Sequence, residues 1–217
     1  MTSNYMTETS YRDYGYTDSA QTWSHAYLWN VVSTLLPAAD QCPHGVIDLG
    51  CGNGAMAGRL LDLGYKANGV DASATGIAIA NQRHPGQFHV ADFSVGRLPL
   101  AIADHRFDVA LSTEVIEHLY DPRALLKMAR SVLQPGGLLV VTTPFHGYFK
   151  NLALAATGKL DGHFTVLWDG GHIKFFSRRT LTILLEQEGF QVVAFRGAGR
   201  WPYLWKSMVL AARRQPD

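Results

Sequence analysis

The stretch Val46-Ile47-Asp48-Leu49-Gly50-Cys51-Gly52-Asn53-Gly54 constrains the fold of this chain more than any other. A short apolar run meets three glycines on alternate positions and then opens onto the helix-compatible Ala55-Met56-Ala57-Gly58-Arg59-Leu60-Leu61. That order predicts a strand, a tight turn and a helix. Glycine accepts positive φ and carries no Cβ, so the backbone can bend sharply while a ligand lies against it. The helix that follows points its unpaired N–H groups at the same spot. The stretch is therefore read as a nucleotide-cofactor turn.

Which nucleotide it holds depends on a charge. Gly52, Gly54 and Ala57 satisfy the loose dinucleotide pattern G-x-G-x-x-G/A, which keeps a nicotinamide oxidoreductase open. Asp48 argues against it, because a carboxylate at the carboxyl end of the strand repels a pyrophosphate and welcomes a cation. Here the chain resembles the class I S-adenosylmethionine-dependent methyltransferases, whose first motif, D-x-G-x-G-x-G, is matched by Asp48, Gly50, Gly52 and Gly54. The resemblance implies a doubly wound α/β fold with a seven-stranded, mostly parallel sheet and an antiparallel last strand.

The rest of the chain fits one domain over residues 1–217. Its 217 residues are 47% hydrophobic and 17% charged, enough for one full core. A net charge of +1 gives no reason to expect nucleic acid as a partner. Cys42 and Cys51 form neither a disulfide framework nor a metal-binding pair, which fits a reducing, cytoplasmic setting. Met1 to Glu8 is polar and no stretch reaches the roughly 20 apolar residues of a spanning helix, so a soluble protein is expected, with peripheral membrane attachment left open.

Taken in order, residues 1–37 hold a polar, tyrosine-rich lead and then a helix, capped by Asp18 or Ser19, that carries Trp23, Ala26, Tyr27 and Val31 at helical spacing. The resemblance implies that this segment covers the cofactor, with Tyr11, Tyr16 or Trp23 able to touch it. A second strand, Ala67 to Asp71, ends in a carboxylate about twenty residues beyond the turn, the spacing that suits ribose hydroxyls. Asp is also a preferred helix cap, so Asp71 can cap the helix of Ser73 to Gln82 as well, with the ribose role the favoured reading. By resemblance, Asp92 meets the adenine amino group and Phe93 its ring, and Ala72 and Thr113 line the cofactor. A carboxylate after a strand is also an ordinary turn residue.

A buried fourth strand, Phe107 to Ser112, leads into Thr113-Glu114-Val115-Ile116-Glu117-His118. Further on, Gln134-Pro135-Gly136-Gly137 ends a helix sharply before the strand Leu138 to Thr142. Residues 144–176 form an aromatic, substrate-covering insertion. Its apolar run at 145–157 is expected to be a lid helix that completes the core, the alternative being a surface helix that touches membrane or a lipid chain. Tyr203 to Ala212 is read as the seventh strand.

Methyl transfer requires an aligned acceptor made nucleophilic by a base or a metal ion. Glu114, Glu117 and His118 stand at i, i+3 and i+4, which on a helical turn projects two carboxylates and an imidazole to one side. The segment resembles the E-x-x-E-H of ubiquinone-pathway O-methyltransferases and of small-RNA 2′-O-methyltransferases, both metal-dependent. That resemblance adds His172, with His163 behind it, as a distant ligand for magnesium or a similar divalent ion. Without a metal, Glu117 and His118 orient the loop and His118 or His146 is the base. The expected activity is methylation of a hydroxyl on a small or lipid-like acceptor. The alternative is a non-catalytic scaffold that keeps the cofactor pocket, against which the intact Asp48, Asp71 and Asp92 count.

Overall fold

A computed structural model describes residues 15–18, 23–93, 96–164, 166–168 and 171–216. Tyr11 and Ser19 lie outside the described residues, as does the side chain of Trp23. The expected seven-stranded sheet is present, in the order β3-β2-β1-β4-β5-β7-β6. Its strands are β1 (Val46–Leu49), β2 (Ala67–Asp71), β3 (Phe88–Val90), β4 (Phe107–Thr113), β5 (Leu133–Pro144), β6 (Phe190–Ala198) and β7 (Ser207–Arg214). Pairing is parallel from β3 through β5, whereas β7 enters antiparallel between β5 and β6.

The central strands are apolar on both faces because both faces are covered. On one side Ile47, Leu49, Ala110, Leu139 and Val141 pack with α4 (Pro122–Val132) and α7 (Arg178–Gln187). On the other, Val46, Val109, Leu111 and Val140 pack with α1 (Trp23–Val32) and α2 (Ala55–Asp62). A smaller cluster, built on Cys51, Ala57, Ile77, Ala80 and Phe88, seats α3 (Ala74–Arg83) at the β2–β3 edge. Helix starts follow local chemistry. The Asp121 carboxylate accepts from the Arg123 N–H with Pro122 in the first turn of α4, and Ser177 and Thr180 make a reciprocal capping box on α7.

Two boundaries differ from the sequence expectation. The Gln134–Gly137 segment does not separate helix from strand, since β5 begins at Leu133 immediately after α4. The β4–β5 register jumps from Phe107↔Leu133 to Val109↔Leu138, so the glycine pair, with Gly136 at φ 73°, is absorbed as an irregularity inside the strand. At the other end, residues 203–206 belong to the β6–β7 loop and β7 starts at Ser207.

The insertion forms α5 (Tyr148–Ala156) and α6 (Leu160–Phe164). The expectation that α5 completes the core does not hold. Tyr148, Phe149 and Leu152 are 75%, 61% and 53% exposed, and the buried residue of the helix is Lys150. An apolar run says how much surface needs cover, but the side turned inward is fixed by where the chain enters the helix, and here that side carries the lysine.

Phe190, which opens β6, is 1% exposed within the larger core. Phe190→Ala should cost about 3–5 kcal/mol of stability. Urea unfolding monitored by circular dichroism checks this through a lower midpoint with an unchanged denaturant slope.

Candidate active site

The strand order reverses between β1 and β4, and the carboxyl ends of β1, β2, β4 and β5 open onto one crevice, the place where open α/β sheets bind ligands. Gly50, Gly52 and Gly54 take φ of 85°, 53° and 77°, a conformation that side chains resist. A Cβ on Gly50 would sit 2.4 Å from Val115, and one on Gly52 would sit 2.4 Å from the Tyr16 hydroxyl. Tyr16 therefore lies directly over the turn, where it also approaches Gly76, and the Asn53 amide donates to the Asp18 carbonyl at 2.9 Å. The lead segment crosses the glycine turn at these points.

Asp71 braces the turn from β2. One carboxylate oxygen accepts from the Gly52 N–H at 2.8 Å and the other from the Ser73 N–H at 2.7 Å. The cap of α3 is Ser73, whose hydroxyl accepts from the Gly76 N–H, so Asp71 is not the N-cap. A carboxylate oxygen can accept from more than one donor, so this arrangement is compatible with a ribose hydroxyl as an added donor. Ala72 follows at the same edge, half-buried. Asp92 is half-buried after β3, while Phe93 is 8% exposed and packs in the main core with Ile102. Thr113 ends β4, buried and opposite Thr142.

Asp48 is 1% exposed, and neither carboxylate oxygen completes a hydrogen bond. Burial, reinforced by the charge of Asp71, pushes its carboxyl up to about 7, and the nearby backbone of Ala57 only partly opposes this. A buried carboxylate without donors is costly. Its position at the head of a cofactor turn gives it a use: a cation seated there supplies the missing partner. The residues present thus fit a sulfonium- and ammonium-bearing cofactor.

The second half of the site is the Glu114–His118 segment. The expected helical turn does not form, because Glu114 leaves β4 at φ 54° and only Ile116–His118 make a single 3-10 turn. Glu114 is thereby separated from Glu117 and His118. The Thr142 hydroxyl accepts from the Glu114 N–H at 3.0 Å and donates to its carboxylate at 2.9 Å, while the Ser207 hydroxyl donates to the other oxygen at 3.1 Å. The Tyr27 hydroxyl reaches Ser207 at 2.9 Å, which continues the chain into α1. A left-handed non-glycine residue costs energy, and these hydroxyls hold it in place.

Glu117, His118 and His172 do come together, with one ligand atom from each within 4.8 Å of the others. The Nε2 atoms of His118 and His172 lie 4.0 and 3.9 Å from the same Glu117 oxygen. The segment carrying His172 is pinned by two N–H donors, Ile173 and Lys174, on the Glu117 carbonyl. His118 Nδ1 lies 3.2 Å from the Gly171 carbonyl, which can only accept, so Nδ1 donates and the neutral form of the ring carries its lone pair on Nε2. Glu117 is fully buried without a completed hydrogen bond, and burial, then the charge of Glu114, pushes its carboxyl well up. Burial and the neighbouring His118 depress His172 to about 4, so its imidazole is neutral. One carboxylate and neutral imidazoles make a donor set for a divalent ion.

His146 stands apart, 8% exposed in an aromatic box made by Phe164, Phe175 and His163. Burial, then Lys150, hold it down at about 4. Sequence reasoning passed over Thr142, Ser207 and Lys150. The first two come from strands remote in sequence, and nothing in their local pattern sets them apart.

A family model described as a methyltransferase domain matches residues 21–194. A ubiquinone biosynthesis O-methyltransferase of Cereibacter sphaeroides is 34% identical over 77% of this chain and 68% of its own length. One of Bradyrhizobium sp. is 34% identical over 72% of this chain and 64% of its own. The chain thus spans about two thirds of the length of these relatives. Among solved structures, an S-adenosylmethionine-dependent methyltransferase from Mesorhizobium loti superposes with TM-score 0.65 at 19% identity, covering 86% of this chain and 97% of that one. The magnesium protoporphyrin IX methyltransferase of Synechocystis PCC 6803, with bound SAH, gives 0.60 at 19% identity, covering 87% and 80%.

Asp48 supplies a measurable pH dependence. Its carboxyl rises from 3.8 to about 7 on folding, so its stabilising effect is complete below about pH 4 and is lost as pH climbs through 7. Asp48→Asn should therefore leave the ligand-free protein little changed near pH 4 and more stable by up to about 4 kcal/mol near pH 8. The same variant should bind S-adenosylmethionine about tenfold or more weakly. Urea titrations at both pH values and calorimetry with the cofactor check both signs.

Proposed function

We propose, for a chain that belongs to the methyltransferase family and uses S-adenosylmethionine, that the methyl group passes to a hydroxyl oxygen of a small aromatic or lipid-like acceptor. The observation that carries this reading is the Glu117–His118–His172 cluster at the carboxyl end of β4, on the same edge of the sheet as the glycine turn. The names of the relatives in Cereibacter and Bradyrhizobium support oxygen as the accepting atom. The exposed rings of Tyr148, Phe149 and Tyr203, with Phe149 and Tyr203 in edge contact at 6.2 Å, support an apolar acceptor tail or a membrane surface against residues 145–157. Among the described residues no helix is long and apolar enough to cross a membrane.

Methyl transfer is an in-line displacement at a carbon already activated by the sulfonium, so the protein has two tasks: to align the acceptor and to remove its proton. Glu117, His118 and His172 would hold a divalent cation such as magnesium, which supplies the Lewis acidity that makes a hydroxyl easier to deprotonate. Glu117 supplies the negative charge, and its burial makes that charge costly until a cation answers it. The Gly171 carbonyl fixes the His118 tautomer and aims Nε2 at the cluster. Glu114 holds the strained exit of β4 through Thr142 and Ser207 and thereby sets the position of the cluster against the cofactor turn. His146, held at about 4, is a poor proton acceptor near neutrality and is better suited to shaping the acceptor pocket.

Glu117→Gln should abolish calorimetric binding of magnesium or manganese and lower kcat for a catechol acceptor by roughly 100-fold or more. The affinity for S-adenosylmethionine should stay within about threefold. Undiminished turnover after exhaustive chelation would remove the cation and leave His118 as the base. Failure to methylate any hydroxylated aromatic, with the cofactor bound, would sink the oxygen-acceptor reading.

A further inference from the structure

Ser207 opens β7, is 1% exposed, and is met from two directions. Its hydroxyl donates to the Glu114 carboxylate at 3.1 Å, and the Tyr27 hydroxyl lies 2.9 Å from the same serine oxygen. Counting protons fixes the direction of this chain. A carboxylate offers lone pairs alone, and a serine hydroxyl has a single proton to give. With that proton spent on Glu114, Ser207 accepts from Tyr27 and the phenol is the donor. Burial, then the charge of Glu114, push the phenol up to about 12, so it keeps its proton at neutral pH. The other Glu114 oxygen is held by Thr142, whose proton is likewise committed. Two hydroxyls thus clamp the carboxylate, and one of the clamps is itself held from α1.

The Tyr27 ring is fixed from the β6–β7 side. The Lys206 ammonium lies 5.2 Å from the ring centroid, and a Cβ on Gly199, which sits at φ 90°, would come within 3.1 Å of the ring. One turn further along α1, the Arg59 guanidinium of α2 lies 4.3 Å over the Trp29 ring. That helix starts at the last glycine of the cofactor turn, and the lead segment ahead of α1 meets the same turn through Tyr16 and Asp18. α1 is therefore tied at once to the cofactor turn and, through Tyr27, to the residue that directs the chain toward Glu117 and His118. A non-glycine residue at φ 54° persists when its surroundings over-determine it, so each bond on Glu114 counts.

We propose that Tyr27 is a positioning residue for methyl transfer: through Ser207 it holds the left-handed turn at Glu114 and so sets the Glu117–His118 segment against the cofactor turn. The proposal rests on the hydroxyl-acceptor reading above where turnover is measured and stands apart from it where the backbone is measured. Loss of the phenol hydroxyl leaves the Ser207 oxygen without its donor, loosens the clamp on Glu114 and displaces the segment that carries the Glu117 cluster. Misplacement of that kind slows the methyl step and leaves the binding of both substrates in place.

The test compares the parent with Tyr27→Phe, Ser207→Ala and the double variant, by hydrogen exchange of the SAH-loaded protein and by steady-state methylation of a catechol. Tyr27→Phe keeps the ring beside Lys206 and removes the hydroxyl alone. The Glu114 N–H is bonded to Thr142 and the His118 N–H to the Val115 carbonyl, so the 113–119 segment reports on the clamp. Its amides should exchange about fivefold or more faster in Tyr27→Phe, while those of β1 keep their parental rates. The kcat should fall about tenfold, with the catechol KM and the calorimetric affinity for S-adenosylmethionine within about threefold of the parent. Ser207→Ala should lose at least as much, and the double variant should match it within about twofold, because both changes cut one chain. Parental exchange at 113–119 in Tyr27→Phe, faster exchange there with an unchanged kcat, or losses that multiply in the double variant overturn the proposal. So does a loss confined to S-adenosylmethionine affinity, which would assign Tyr27 to the cofactor. Faster exchange in the variants of a parent that methylates no catechol counts against the hydroxyl-acceptor reading and leaves the chain from Tyr27 to Glu114 standing.

Discussion

Two carboxylates taken out of water organise this molecule. Asp48 at the end of β1 and Glu117 beyond β4 are both buried, and neither completes a hydrogen bond. A charge in that position costs several kcal/mol, and the protein pushes both groups toward their protonated forms. Sheet topology places them. Parallel strands run to the same edge, and the reversal of strand order between β1 and β4 leaves that edge uncovered by connecting helices. The crevice thus has a buried, unpartnered carboxyl group on each side of the switch point. On the reading proposed above, a cationic cofactor answers the first and a divalent ion the second.

The elements around these groups serve mainly to fix them. Asp71 uses both oxygens to tie the glycine turn to the start of α3, so the carboxylate expected at the ribose has a structural task of its own. Glu114 plays the corresponding part on the other side. Its left-handed backbone turns the chain out of β4, and the Thr142 and Ser207 hydroxyls, one from β5 and one from β7, keep that turn closed. Because Tyr27 reaches Ser207, the cofactor-side helix α1 and the acceptor-side loop share one hydrogen-bonded chain. Insertion of β7 between β5 and β6 is what brings Ser207 within reach.

The parts legible in the sequence were those specified by local chemistry. Three glycines, found at positive φ, announced the turn, and apolar runs announced strands covered on both faces. What could not be read depended on choices that local pattern leaves free. Glu114, Glu117 and His118 share a face only if the segment is an α-helix, and one left-handed residue at Glu114 removed that condition. The composition of Tyr148–Ala156 gave its apolar content correctly but not which side faces inward, so the buried lysine was hidden among residues expected to be core. Phe93, set against adenine by the resemblance, is also a member of the main hydrophobic cluster with Ile102.

The same inversion separates the two ends of the crevice by charge. The cofactor end presents Asp48 and Asp71, and it is covered by Tyr16 from the lead segment. On the other side lies Lys150, buried on α5, whose charge acts on the imidazoles of His146, His163 and His172. A cationic methyl donor is therefore favoured beside Asp48 and Asp71 and disfavoured beside Lys150. On the reading proposed above, the sulfonium carbon and the hydroxyl meet between the two, at the exit of β4, where Glu114 leaves the strand at φ 54° just ahead of the 3-10 turn that carries Glu117 and His118.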